Sequence, residues 1–138
     1  MHGIRLNQVT LAAKDMAASV LFYQKLGLTL IVDSAPHYVR FEFPDHSDGS
    51  EPATLSLHEV DAHWSAPTDW PLIYFEVEDV EAFLRDKAID PISPTEIQSY
   101  LWTEADILDP SGNRIRIYAA GMTRRFPPWR IKTSDPGE

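Results

Sequence analysis

Gln8-Val9-Thr10-Leu11-Ala12-Ala13-Lys14-Asp15-Met16-Ala17-Ala18-Ser19-Val20-Leu21-Phe22-Tyr23-Gln24-Lys25-Leu26-Gly27-Leu28 reads as a short strand running into a capped helix. The device returns 64 residues later as Leu72-Ile73-Tyr74-Phe75-Glu76-Val77-Glu78-Asp79-Val80-Glu81-Ala82-Phe83-Leu84, which sets Asp79 under Asp15 and Val80 under Met16. A second echo, at an offset of 60, matches Thr54-Leu55-Ser56-Leu57-His58 to Arg114-Ile115-Arg116-Ile117-Tyr118. The chain is one module used twice.

The 138 residues predict a single domain, because two half-size modules must share a core to be stable. No run of about 18 apolar residues is present, and Met1-His2-Gly3-Ile4-Arg5 has neither a basic leader nor an apolar stretch. A soluble cytoplasmic protein with no membrane partner is expected. The absence of cysteine excludes disulfides, a thiolate nucleophile and sulfur-ligated metal centres. A net charge of −9, from 21 acidic and 12 basic residues, repels a phosphate backbone. No nucleic-acid partner is expected.

Module one covers residues 4–60. Alternation predicts a strand over 4–13, with Val9 and Leu11 on one face and Gln8, Thr10 and Ala12 on the other. Asp15 is placed to cap a helix over 16–26 whose apolar face is Val20, Tyr23 and Leu26 with Phe22 beside them, and Gly27 follows its last turn. Strands over 28–33 and 37–43 follow, the second setting Val39, Phe41 and Phe43 against Tyr38, Arg40 and Glu42. The turn-rich stretch 44–52 then leads into a strand over 53–60.

Residues 61–71 have no period and two prolines, so they read as a linker. Module two, 72–119, repeats the order. A strand over 72–77 leads to a helix capped by Asp79 with Val80, Phe83 and Leu84 as its apolar face, ending before Asp90-Pro91. Extended chain around 97–108 precedes the turn Asp109-Pro110-Ser111-Gly112-Asn113 and a last strand over 114–119. The tail, 120–138, has no counterpart in module one, and Gly121 to Arg130 carries two aromatics and three arginines. It reads as a strap, on the surface or across a dimer interface, or as a flap over a ligand; 133–138 is expected to fray.

The two capping aspartates, Phe22-Tyr23-x-x-Leu26-Gly27, Phe75-x-Val77-x-Asp79 and Asp109-Pro110-x-Gly112-Asn113-x-Ile115 together resemble the vicinal oxygen chelate superfamily. That group holds glyoxalase, extradiol dioxygenases, fosfomycin resistance proteins and bleomycin resistance proteins. The resemblance spans residues 4–118. It implies an α+β fold in which two βαβββ modules curl a mixed sheet around a cleft, with helices on the outside, and it implies a homodimer. It also implies where a divalent metal would be held. Matched position by position, the ligands fall on Gln8, Leu72, Ser56 and Arg116. Of these only Gln8 suits a metal, since Leu72 has no donor atom and Arg116 is a fixed cation. No metal and no cofactor are therefore expected. The alternative is one divalent ion at a displaced set, Gln8, His58 and Glu76. His37, His46 and His63 lie in or beside turns and read as solvated.

Alternation draws the wall of the implied cleft. Module one supplies Gln8, Thr10, Tyr38, Arg40, Ser56 and His58; module two supplies Tyr74, Glu76, Arg114, Arg116 and Tyr118, joined by Trp102. Something must balance Arg116, because an unpaired buried charge costs several kcal/mol. One reading is internal pairing, Arg116 with Glu76 or Arg40 with Glu42. Another is that Arg116, with His58, receives an anionic or carbonyl group of a small ligand while tyrosines stack on its apolar part. A third is a wet, ligand-free cleft. The inner arginines favour an anionic ligand over the cationic one that the overall charge suggests.

No Ser-His-Asp order, phosphate loop or paired-carboxylate spacing stands out, so no catalytic residue is assigned. Two functions are carried forward. The first is metal-free binding of a small organic molecule, in the manner of a bleomycin resistance protein. The alternative is a lyase, isomerase or dioxygenase using a displaced metal or His58 and Tyr74 as acid and base. A purely structural interaction domain is a third possibility.

Overall fold

The computed structural model describes residues 3–45 and 49–132. His46 and the 133–138 end of the tail lie outside the described residues. The order is β1 (Gln8–Ala13), α1 (Met16–Leu26), β2 (Thr29–Ser34), β3 (Tyr38–Glu42), β4 (Thr54–Glu59), β5 (Ile73–Glu76), α2 (Val80–Lys87), β6 (Glu96–Ile97), β7 (Thr103–Leu108) and β8 (Arg114–Ala119), closed by one 3-10 turn, Gly121–Arg124. Two four-stranded mixed sheets form, ordered β1-β4-β3-β2 and β5-β8-β7-β6. This is the α+β arrangement of paired βαβββ modules. The chain divides into two compact units, Met1–Pro71 with Leu108–Arg114, and Leu72–Ile107 with Ile115–Glu138.

The internal repeat holds at the level of register. In the first sheet β1 runs parallel to β4 and pairs Thr10 with Ser56 and Ala12 with His58. In the second, β5 runs parallel to β8 and pairs Tyr74 with Arg116 and Glu76 with Tyr118. These are the partners reached by moving the first residue of each pair by 64 and the second by 60. Two offsets read separately from the sequence therefore describe one duplicated backbone.

Both helices start as expected. Asp15 Oδ1 accepts from Ala18 N at 3.0 Å and Asp79 Oδ1 from Ala82 N at 3.0 Å, each satisfying an amide of the first turn. Gly27 ends α1 at φ 110°, returning its N–H to the last turn. Helix α2 ends instead on Ala88 at φ 54°, with Glu81 in its first turn and Arg85 and Lys87 in its last, which suits the helix dipole. The buried stripe of α1 is Met16, Ser19, Tyr23 and Leu26. Val20 and Phe22, read as core, are only half-buried.

Unit one builds its core from the alternating faces of β3 and β4, where Val39, Phe41, Leu55 and Leu57 have no exposed surface. The Tyr23 ring of α1 lies 5.8 Å from that of Phe41. Unit two repeats this with Phe75, Ile115, Ile117 and Ile107 beneath Val80 and Leu84.

Some boundaries differ from expectation. The first strand begins at Gln8 rather than Ile4, and Ile4 and Leu6 are fully exposed. A strand needs a neighbour as well as alternation, and none reaches them. Likewise β5 starts after Leu72, and β6 is only two residues long, following Pro91 and Pro94, which cannot donate to a ladder.

The 109–113 turn, read only as a connection, forms the buried polar centre of unit one. Asp109 Oδ2 accepts from Tyr23 Oη at 2.7 Å and Asn113 Nδ2 at 2.8 Å, while its Oδ1 accepts from Ser111 N and Asn113 N, both at 2.9 Å. Asn113 Nδ2 also donates to Ala12 O, and Lys14 N donates to Ser111 Oγ.

Candidate functional site

The polar face of the first sheet carries Gln8, Thr10, Tyr38, Arg40, Ser56 and His58, one row per register step. Three of these meet. Ser56, fully buried, shares a 2.6 Å hydrogen bond with Tyr38 Oη, and Arg40 Nε donates to that same oxygen at 2.9 Å. The bond with Ser56, with Arg40 adding, holds the Tyr38 phenol below its ordinary pKa. Arg40 thus serves Tyr38 rather than pairing with Glu42. The other three stay apart: Gln8 accepts from Thr54 Oγ1 at 2.8 Å, Thr10 is exposed, and His58 Nδ1 contacts the backbone oxygen of Glu59 at 3.1 Å.

The second sheet gathers more. Arg116 grips Asp106 with two parallel bonds, Nε to Oδ1 at 2.7 Å and Nη2 to Oδ2 at 3.0 Å, the bidentate geometry that suits a guanidinium. Its Nη1 lies 3.4 Å from Glu104 Oε1 and 3.5 Å from Tyr74 Oη. Glu104 Oε2 in turn accepts from Tyr100 Oη at 2.6 Å. The bond to Asp106 leads in raising the Arg116 pKa, so this cation stays charged at every working pH. Burial and then the Glu104 bond push the Tyr100 phenol up to about 12.

Over this charged floor sit aromatic rings. Trp102 stacks on Tyr118 at 4.8 Å, and Tyr74 meets both edge-on, at 6.2 Å and 5.5 Å. Tyr100 meets Trp102 edge-on at 5.6 Å. Tyr118 is buried, which leads in raising its pKa. Tyr74, by contrast, keeps 41% of its surface in water and Trp102 is half-buried. At the edge Glu76 pairs with Arg124 at 3.3 Å.

Two expectations are corrected here. Arg116 does not pair with Glu76; its partners, Asp106 and Glu104, come from β7, and Glu76 goes to the tail. Nor is Arg116 open to an anion, since Nε, Nη1 and Nη2 all face internal acceptors. An incoming anion would have to displace a 2.7 Å carboxylate contact. Glu104, Asp106 and Tyr100 were missed. The signal was the alternation Thr103-Glu104-Ala105-Asp106-Ile107, which sets two acids on one face of a strand. Arg114 belongs to unit one, where its Nη1 contacts Thr68 O at 3.5 Å.

The residues at the implied metal positions do not fit a metal. Leu72 precedes its strand and has no donor, Ser56 Oγ is held by Tyr38, and Arg116 is a cation clamped by two carboxylates. In the displaced set, Gln8 and His58 stand two rows apart, roughly 13 Å along the strand, too far to share an ion. Among the described residues no three His, Asp or Glu side chains are grouped to hold one, and no helix is long and apolar enough to cross a membrane.

Paired βαβββ modules with a polar face on each sheet define the class. The profile of the Glyoxalase/Bleomycin resistance protein/Dioxygenase superfamily matches residues 5–117, and the chain belongs to that superfamily. Among solved structures it is similar to a glyoxalase/bleomycin resistance protein/dioxygenase from Nocardioides, at 21% identity and TM-score 0.66 over 96% of this chain and 92% of that one. It is similar also to a lactoylglutathione lyase from Agrobacterium tumefaciens, at 17% identity and TM-score 0.65 over 91% and 100%. A bleomycin-binding protein complexed with bleomycin follows at 18% and 0.62 over 85% and 98%. At such identities these neighbours establish the fold. No curated protein matches the chain.

Proposed function

We propose that the protein binds a small organic molecule without a metal, stacking a flat ring of that ligand on the aromatic face of the second sheet. The observation that carries this reading is the half-exposed pair Tyr74 and Trp102 above an Arg116 whose donors are already engaged. Large rings left partly in water over a rigid floor offer area to a ligand at little entropic cost. With Arg116 occupied, the electron-rich ring faces decide the sign, and they favour a positive charge on the ligand. The net charge of −9 works in the same direction. The bleomycin-bound neighbour supports a small-molecule ligand, without bearing on its charge.

The test uses two probes of similar size and opposite charge, benzyltrimethylammonium and benzenesulfonate, with bleomycin as a third. Benzyltrimethylammonium should raise the melting temperature and quench tryptophan fluorescence, and Trp102→Ala should abolish both responses. Preference for benzenesulfonate, or a stoichiometric divalent ion in the purified protein that binding requires, overturns the reading.

One observation favours a second reading, an enzyme of the superfamily. The Tyr38 phenol, lowered by Ser56 and Arg40, is suited to move a proton in general acid–base catalysis. Turnover of lactoylglutathione that Tyr38→Phe abolishes supports it; an unaffected rate removes Tyr38 from the chemistry.

A further inference from the structure

Three carboxylates lie around the aromatic face of the second sheet, and their counterions differ. Asp106 and Glu104 are buried and share Arg116, whose side chain is itself only 19% exposed. Glu76 is paired instead with Arg124, at 3.3 Å between Oε1 and Nε, with 40% and 47% of the two side chains in water. Glu76 stands two residues beyond Tyr74 on the same face of β5. It is the register partner of Tyr118, on which Trp102 stacks. The Tyr118 phenol registers both charges: after burial, Glu76 raises its pKa and Arg124 lowers it. Arg124 ends the 3-10 turn Gly121–Arg124, whose backbone is held by bonds from Thr123 N and Thr123 Oγ1 to Ala120 O and from Phe126 N to Met122 O. Its side chain can therefore leave Glu76 without unfolding the segment.

We propose that Glu76 is the residue of this face that reads the ligand's charge, and that Arg124 is an internal cation which the ligand displaces from it. The inference rests on the stacking reading above and narrows the ligand to a flat ring bearing a protonated amine on a short arm. Two residues along a strand span about 6.6 Å, so a ring laid over Tyr74 brings such a group to Glu76. An exposed ion pair is worth little, so Arg124 is exchangeable where Arg116, clamped by two buried carboxylates, is not. The 3.3 Å contact of Arg124 is also longer than the roughly 2.8 Å of a charge-assisted hydrogen bond. An ammonium N–H, free of any backbone tether, can close that gap. Charge balance favours the same class of ligand. Three carboxylates against two guanidinium groups leave this face one charge negative, so an anion is repelled and a single cation neutralises it.

Tryptophan fluorescence titrations of the full chain with benzylamine, protonated at neutral pH, and with uncharged benzyl alcohol test the exchange. Arg124→Ala should tighten benzylammonium about two- to fivefold, the range an exposed ion pair allows, and leave benzyl alcohol unchanged. Added to Glu76→Gln, the same substitution should gain nothing, since no carboxylate is left to release. Equal affinity of the native and Arg124→Ala chains for benzylammonium overturns the exchange. So does a gain shared by benzyl alcohol, which makes Arg124 a steric cover, or a gain that survives in the Glu76→Gln chain. If neither compound binds the native chain, or if Trp102→Ala leaves both affinities unchanged, the stacking reading falls first and the exchange falls with it.

Discussion

Each unit buries a carboxylate-centred polar cluster, and the two are finished differently. Asp109 in unit one takes four neutral donors from the turn, from Asn113 and from Tyr23, and the whole group is enclosed, with Tyr23 at 0% and Asp109 at 4% exposure. Asp106 and Glu104 in unit two are buried to the same degree, but their partner is a guanidinium and their roof is Tyr74, Tyr100 and Trp102, rings left partly in water. Neutral donors converging from two segments, α1 and the turn itself, make a staple, because every lone pair is answered from within. A fixed charge under half-open rings makes a platform. The two also stand on different backbone: Asp109 on the turn before β8, and Glu104, Asp106 and Arg116 on the paired strands β7 and β8.

Breaking the platform should cost most. Arg116→Leu leaves two neighbouring carboxylates without their guanidinium, and removal of one partner from a buried pair costs about 3–5 kcal/mol. Urea denaturation reads the loss; a change below about 1 kcal/mol would mean the cluster behaves as a surface pair, and the likeness in burial to the Asp109 staple would fail. Asp109→Ala should follow. It strands donors from Tyr23, Ser111 and Asn113 in a buried site, for about 3 kcal/mol, and it should leave benzyltrimethylammonium binding intact. A variant that loses the ligand while staying folded would erase the proposed division of labour.

Tyr23→Phe is milder, about 1.5–3 kcal/mol for one hydrogen bond to a charged acceptor, because Asn113 still serves Asp109 Oδ2. Its pH signature is more telling than its size. Burial, then the Asp109 charge, raises the Tyr23 pKa, and Tyr100 is raised to about 12 from an ordinary 10.0. A phenol whose folded pKa is raised contributes stability that is whole below the unfolded value and is lost as pH climbs through the folded one. Stability should therefore fall above pH 10 toward 12, with the phenolate absorbance of Tyr23 appearing together with unfolding. In the Tyr23→Phe chain that alkaline loss should be smaller. An unchanged alkaline transition would place Tyr23 outside the linkage.

How much of this could be read beforehand depended on the range of each interaction. The caps at Asp15 and Asp79 involve residues three apart, and the strand faces follow from a period of two, so the sequence carried both plainly. Trp102, which precedes its strand, had no face assigned in this way, whereas Tyr74 and Tyr118 came from the same alternation carried across the repeat. The partners of Arg116 did not, because pairing with Asp106 and Glu104 depends on which strand lies beside β8 and in what register. Asp109 was recognised as a turn residue, yet its burial rests on Tyr23, distant by 86 positions. Ile4 and Leu6 show the opposite error. They alternate as a strand does, but no neighbouring strand extends to meet them.

The smallest effect expected separates the shape of the staple from its hydrogen bonds. Gly112 sits in the same turn at φ +88°, and a Cβ there would meet only the Ala66 Cβ at 3.7 Å, an ordinary contact. Gly112→Ala should therefore cost only the backbone penalty of an L-residue at positive φ, about 1 kcal/mol, with Tyr23 still bound to Asp109. Near-ultraviolet circular dichroism of the tyrosine bands should stay native while the melting temperature drops a few degrees. If the loss matched that of Asp109→Ala, the turn geometry would be what holds the cluster together, and the four donors would be its consequence rather than its cause.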